Sequence, residues 1–208
     1  QYKNKTPIFT KYNVEKEILE ICEKKLRELE KINIKVEELK PKINNEFLWK
    51  SWTTLRAKNI YEDTLAMNIL DVNSMTYQAI WEYNKGKKIN TEDIQSAIDK
   101  KQHCLNQIDL IFRNFDFLAL PSAQVYPFDK NLQFPKNING IELDTYHRWL
   151  EVFILSSLLD LPTVTIPVGF NKNGMPMGMQ IIGRNKDDLN VFSFASKYED
   201  IFNYSKIK

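Results

Sequence analysis

Apolar residues at Val14, Ile18, Ile21, Cys22, Leu26 and Leu29 recur near a 3.6-residue period, with Glu and Lys filling the positions between them. That pattern predicts an amphipathic helix of good intrinsic propensity, with Asn13 placed to cap its N-terminus. The period then drops to two. Ile32, Ile34 and Val36 alternate with polar residues in "INIKVEEL" and predict a strand, ended by Pro41. Helical spacing returns over residues 44–68, where Phe47, Trp49, Trp52, Leu55, Ile60 and Leu65 supply bulk, and a short helix follows over 73–84, stopping near Gly86. "NTEDIQSAIDKKQHCLNQIDLIFRNF" opens on Asn90 or Thr91 with acidic residues in the next turn, a capping signature. Its apolar side carries Ile94, Ile98, Cys104, Leu105, Ile108 and Ile111, and it is expected to be the longest helix.

The second half reads differently. "DFLALPSA" predicts a buried strand ending at Pro121, and a long loop runs over residues 124–144. "TYHRWLEVFILSSLLD" is apolar on most sides and long enough for a buried helix. "LPTVTIPVGFNKNGMPMGMQIIG" reads as two short strands joined at Asn173-Gly174, since glycine supplies a positive φ without steric cost. Gly178 and Gly183 are read as flanking the second strand, where glycine lets another backbone approach, and Pro162 and Pro167 as bracketing the first. A last helix is expected from Lys186 to Phe202. Helices and strands that alternate in this way predict one α/β unit over residues 1–208.

Composition changes the picture mainly by exclusion. The 208 residues are 43% hydrophobic, enough for a sizeable core, and 29 basic residues are interleaved with 27 acidic ones for a net charge of +2. No basic face emerges, so nucleic acid is not expected as a partner. No apolar run reaches the ~18 residues of a membrane helix; "VFILSSLLDLP" is too short and broken by polar residues. No membrane partner is expected, and the cytoplasm is the default location. Cys22 and Cys104 have no motif spacing and sit on helical patterns, which predicts two buried thiols.

Candidate chemistry is sparse. Ser156 and Ser157 lie in "FILSSLLD" with leucines on both sides, where a nucleophile elbow would show Gly-x-Ser-x-Gly. Helix packing with the hydroxyls bonded back to the chain is the expectation. His103 and His147 are the two histidines, 44 residues apart. No Cys or carboxylate cluster accompanies them, so no metal site and no cofactor are expected. None of the six glycines forms a dinucleotide or phosphate-loop motif. Aromatic residues, by contrast, crowd the long loop and its exit: Tyr126, Phe128, Phe134, Tyr146, Trp149 and Phe153. Long loops in compact domains are often functional, although rings can also simply tie a loop to the core.

With these residues in view, "FDFLALPSAQVYPFD", "DTYHRWLEVF", "DLPTVTIPVGF" and "NGMPMGMQIIG" resemble, in that order, the C-terminal part of amidase-signature hydrolases. Gln124 before the aromatic-Pro-Phe-Asp run, together with "YHRW", resembles the branch that opens linear or cyclic aminohexanoate-type amides. The resemblance implies a mixed sheet flanked by helices in an α/β/α fold, and a reaction that hydrolyses carboxylic amide C–N bonds. It also implies a Ser nucleophile, a bridging Ser and a Lys base, held in a Gly/Ser-rich signature that this sequence does not contain. No catalytic residue is therefore assigned. The chain is expected to be the C-terminal portion of such a domain, inactive without the half that carries the Ser-Ser-Lys set. Tyr126, Phe128, Tyr146 and Trp149 are the expected substrate-binding residues, because apolar walls suit an aliphatic or aryl amide.

Two expectations follow for its role. As part of an enzyme, the chain binds a small-molecule amide and acts when joined to the missing half. As a remnant, it keeps the fold and binds a small ligand or a partner chain. An incomplete sheet leaves a strand edge that tends to pair, so association with the missing half or with itself is expected.

Overall fold

The computed structural model describes residues 12–39, 42–69 and 71–203. In chain order the elements are α1 (Lys16–Glu30), α2 (Asn45–Ala66), a 3-10 turn (Val72–Ser74), α3 (Tyr77–Gly86), α4 (Thr91–Phe112) and β1 (Leu118–Pro121). There follow β2 (Asn137–Ile138), β3 (Ile141–Glu142), a 3-10 helix (Arg148–Phe153), α5 (Ile154–Leu158), β4 (Thr163–Phe170), β5 (Pro176–Ile182) and α6 (Asp188–Phe202). The contacts group them into two compact units, one drawn from the described residues up to Lys42 and from Ile108 onward, the other comprising Ile43–Gln107.

The first unit is built on a three-stranded antiparallel sheet in the order β1-β5-β4. Period-two alternation sets its two faces. Ile166 and Val168 of β4 and Met177, Met179 and Ile181 of β5 point to one face, where they join Ile18, Cys22, Leu26 and Leu29 of α1 and Val191, Phe194 and Tyr198 of α6 in one buried cluster. On the other face Thr165, Gln180 and Leu120 lie in register across the three strands, and Pro167 lies opposite Gly178. The turn between β4 and β5 is made by Gly174 at φ +74 and by Asn171, whose side chain accepts the backbone N–H groups of Asn173 and Met175, each at 2.9 Å. Pro167 is tolerated because β4 is an edge strand and shifts register between Pro167 and Gly169.

The second unit is helical. Asn44 caps α2 by accepting the Phe47 N–H at 3.1 Å. Asn90 and Asp93 form a reciprocal capping pair at the start of α4, at 2.9 and 3.1 Å. Ser51 on α2 donates to the Ala97 carbonyl of α4 at 2.7 Å, and Arg56 on α2 bonds the buried Glu82 of α3 at 2.8 Å. Gly86 permits α3 to close on α2: a Cβ there would stand 2.0 Å from the Ala57 carbonyl oxygen.

The predicted elements meet this structure with several corrections. Asn13 is not the cap of α1; Glu15 holds that position, while the Asn13 amide donates to the Ile138 carbonyl at 2.9 Å. Residues 32–39 are irregular and form no strand; Pro41 lies outside the described residues. Ile32, Ile34 and Val36 alternate because one side of the segment packs on the core cluster, without a partner strand. The long loop contains the small β2–β3 hairpin. The helix expected over 145–160 is a 3-10 helix followed by five α-helical residues. Gly178 lies inside β5, β4 runs on through Pro167 to Phe170, and α4 shares its 22-residue length with α2. Cys22 and Cys104 are buried thiols, as their positions predict. Burial pushes their pKa values up to about 12 and about 11.

Candidate functional site

The second face of the sheet is covered unevenly. Over Gln180 it is closed by the 3-10 helix and α5, and over Gly178 it opens into a cleft of about 530 Å³. Thr165, Pro167, Pro176, Met177 and Gly178 line its strand side, with Ser122 from the segment after β1. The floor is low because Gly178 has no side chain. A Cβ there would stand 2.7 Å from Thr165 Cγ2 and 2.8 Å from Ser122 Oγ. The opposite wall is the run Val125–Phe128 together with Trp149.

Three of the four residues expected to bind substrate meet here. Phe128 and Trp149 pack edge to face, their ring centroids 5.4 Å apart, a geometry worth ~1 kcal/mol beyond burial. Tyr126 lies between cleft and core. Its N–H donates to Glu15 Oε2 at 3.1 Å, and its hydroxyl oxygen is buried without a hydrogen-bond partner among the described residues. Burial foremost, then the neighbouring Glu17, Cys22 and Glu15, raises its pKa, so the phenol stays protonated. Tyr146 does not line the cleft. Its ring lies against the buried His147, with centroids 3.9 Å apart, and 6.3 Å from Phe134, so it ties the loop together.

The residues that sequence reasoning passed over as site residues are two glutamines. Gln124 is 1% exposed and Gln180 is fully buried. Gln124 donates to the Asn13 carbonyl at 2.9 Å and accepts the Val152 N–H at 3.0 Å. Gln180 donates to the carbonyls of Pro121 at 2.8 Å and Val152 at 3.3 Å, and accepts from Ser156 Oγ at 3.3 Å. The available signal was Gln180 itself, a polar residue inside the apolar run "GMQII". At the entrance to the 3-10 helix, Arg148 grips Asp144 through two bonds, at 2.8 and 3.1 Å, and reaches Glu151 at 3.2 Å. The guanidinium hydrogen bond holds the Asp144 carboxyl below its usual range, whereas burial raises Glu151.

The serines around the cleft do not sit in a nucleophile's environment. Ser156 Oγ, as expected, bonds back to the chain at the Phe153 carbonyl and to Gln180. Ser122 Oγ faces Met177 Sδ at 3.9 Å, which is not a base. A serine–lysine pair does occur on α4, but the Lys100 ammonium donates to both the hydroxyl and the carbonyl of Ser96 on an exposed helix surface. His103 packs against Phe47 with ring centroids 5.3 Å apart. Among the described residues no group of three His, Cys, Asp or Glu side chains could hold a metal ion, and no helix is long and apolar enough to cross a membrane. What the cleft can do is hold an apolar group between strands and aromatic rings, with the Ser122 and Thr165 side chains beside it.

The family model described as Amidase matches residues 7–192. Among curated proteins, a glutamyl-tRNA(Gln) amidotransferase subunit of Orientia tsutsugamushi (strain Boryong) is 32% identical over 99 residues, covering 48% of this chain and 19% of that protein. The same amidotransferase subunit from Ehrlichia canis (strain Jake) is 29% identical over 146 residues, 62% of this chain and 28% of that protein. Among solved structures, a bacterial aryl acylamidase of the amidase signature family superposes with a TM-score of 0.81 at 20% identity, covering 98% of this chain and 44% of that one. A 6-aminohexanoate cyclic dimer hydrolase superposes with a TM-score of 0.76 at 15% identity, covering 94% and 44%. The chain thus spans less than half the length of these proteins, and the two superpositions establish a shared α/β fold.

Proposed function

Because this chain belongs to the amidase family, we propose that it supplies the scaffold and the substrate cleft of an enzyme that hydrolyses carboxylic amide C–N bonds. The observation that carries this reading is the cleft over Gly178, an apolar site walled by Tyr126, Phe128 and Trp149. In that reaction a serine oxygen attacks the amide carbonyl, the C–N bond breaks as the amine leaves with a proton, and water then releases the acid. A neutral serine needs a base, and the developing oxyanion needs preorganised N–H donors worth several kcal/mol. In our reading the Ser-Ser-Lys set lies outside the described residues, and this chain alone is inactive. The substrate is a small aliphatic or aryl amide whose apolar part fills the cleft.

Phe128 and Trp149 grip that apolar part, and Tyr126 closes the inner end; Tyr146 acts on the cleft only through the loop it anchors. The strands β1 and β4 are the two edges of the described sheet, which favours association with the catalytic segment or between copies of the chain. Two buried free thiols fit a reducing compartment, and we place the protein in the cytoplasm. The test is to assay this chain alone, and then joined to a segment bearing the Ser-Ser-Lys signature, against a panel of aliphatic and aryl amides. Hydrolysis is expected only from the joined protein. A joined, folded protein inert toward the whole panel would leave the remnant reading instead.

A further inference from the structure

Trp149 stands on a weak element. The 3-10 helix Arg148–Phe153 runs for six residues, longer than the three or four such helices usually sustain, because their hydrogen-bond geometry is poor. With three residues per turn, positions i and i+3 stack in one row, so the orientation of Trp149 follows that of Val152. Val152 is held at both of its backbone polar groups by side chains. Its N–H donates to Gln124 Oε1 at 3.0 Å, and its carbonyl accepts from Gln180 Nε2 at 3.3 Å. Each glutamine is anchored at its other end to the strand side of the cleft or to the segment leading into α1. Gln180 belongs to β5 and bonds the Pro121 carbonyl at 2.8 Å, and Gln124 bonds the Asn13 carbonyl at 2.9 Å. Ser156 Oγ occupies the remaining oxygen of Gln180 at 3.3 Å. Gln180 is also the next residue on the same face of β5 after Gly178, the floor of the cleft.

We propose that Gln124 and Gln180 are positioning residues that clamp Val152 and thereby set the separation between the Trp149 wall and the Gly178 floor, so that cleft width, and with it the size of the accepted substrate group, is fixed by this pair. The consequence for substrate choice rests on the reading of the cleft given above; the clamp itself does not. Aliphatic side chains of similar volume at these positions would fill the space yet leave the Val152 N–H or carbonyl without its partner, and the 3-10 helix would shift to recover one.

The test uses the full 208-residue chain labelled with 15N. The four tryptophan indole signals are read by NMR, with Trp149 assigned by its loss in Trp149→Phe. In Gln124→Met and in Gln180→Met the Trp149 signal is expected to move or split while those of Trp49, Trp52 and Trp81 stay in place. Affinity for acetanilide, the amide used as a probe, is expected to fall about tenfold. Ser156→Ala, which frees one bond of Gln180, should give a smaller shift in the same direction. An unmoved Trp149 signal in folded methionine variants overturns the proposal. If neither methionine variant folds, Ser156→Ala decides, a shift supporting the clamp and its absence overturning it. If acetanilide fails to bind the unmodified chain, the substrate reading falls, and the clamp stands or falls on the indole signal alone.

Discussion

The two faces of the β1-β5-β4 sheet obey different rules. One carries Ile166, Val168, Met177, Met179 and Ile181 against α1 and α6, and there each side chain is chosen for volume. The other carries Thr165, Pro167, Gly178 and Gln180, where the side chains are small, polar or absent. The packed face holds the unit together through apolar area removed from water. The open face leaves room and uses hydrogen bonds to place a wall across it. A substitution on the first should therefore cost stability, and one on the second should cost recognition.

Met179→Ala should break the packed face hardest. The side chain is fully buried, so a loss of ~2–5 kcal/mol in urea unfolding is expected. If the loss stayed below ~1 kcal/mol, the division between faces would be wrong. Gly178→Ala is the mirror experiment. Its Cβ would press on Thr165 Cγ2 and Ser122 Oγ, side-chain ends that can rotate away into the cleft. We expect a stability loss of only ~1–2 kcal/mol, with acetanilide binding reduced more than about tenfold in a titration. Trp149→Ala should weaken the same binding by roughly fivefold, the value of one aromatic wall. Tyr146→Ala should leave binding nearly unchanged, because its ring faces His147 and Phe134. Equal losses from both would mean that the whole loop, and not the wall, recognises the ligand.

The smallest effect belongs to the entrance ion pair. The Asp144 carboxyl is held below its usual value by the Arg148 hydrogen bond. Its contribution is present above the unfolded value of about 3.9 and is lost as pH falls through the folded value. Asp144→Asn should thus lower thermal stability slightly at neutral pH, with the gap closing as the pH falls below the unfolded carboxylate value. The Asp144 side chain is 61% exposed, so the effect should stay under about 1 kcal/mol.

Much of this was legible in the residues because local chemistry and tertiary structure agree. Asn90 caps α4 where its capping signature pointed, and the expected turn at Gly174 joins β4 to β5, with the Asn171 side chain bracing it. The four motif blocks likewise identified the family. What misled was burial that imitates pairing. Ile32, Ile34 and Val36 alternate because one side meets the core, and alternation alone does not reveal the absence of a neighbouring strand. The run 145–160 is apolar on most sides, as a buried helix would be, yet Val152 gives its N–H to Gln124 and its carbonyl to Gln180, and Arg148–Phe153 folds as a 3-10 helix ahead of the α-helical Ile154–Leu158. Long-range bonds of that kind leave no periodic trace. Gln180 escaped for the same reason, Gln124 was noted only as part of a motif, and Tyr146 was expected to bind substrate because an apolar ring in the right loop does not reveal which way it turns.

Whether the open face of the sheet receives the apolar part of an amide is decided best by intermolecular NOEs between acetanilide and the labelled chain. We expect contacts from the ring protons to the Trp149 indole and the Thr165 methyl group, absent in Gly178→Ala. Saturable binding with NOEs elsewhere, or contacts that persist undiminished in Gly178→Ala, would contradict it.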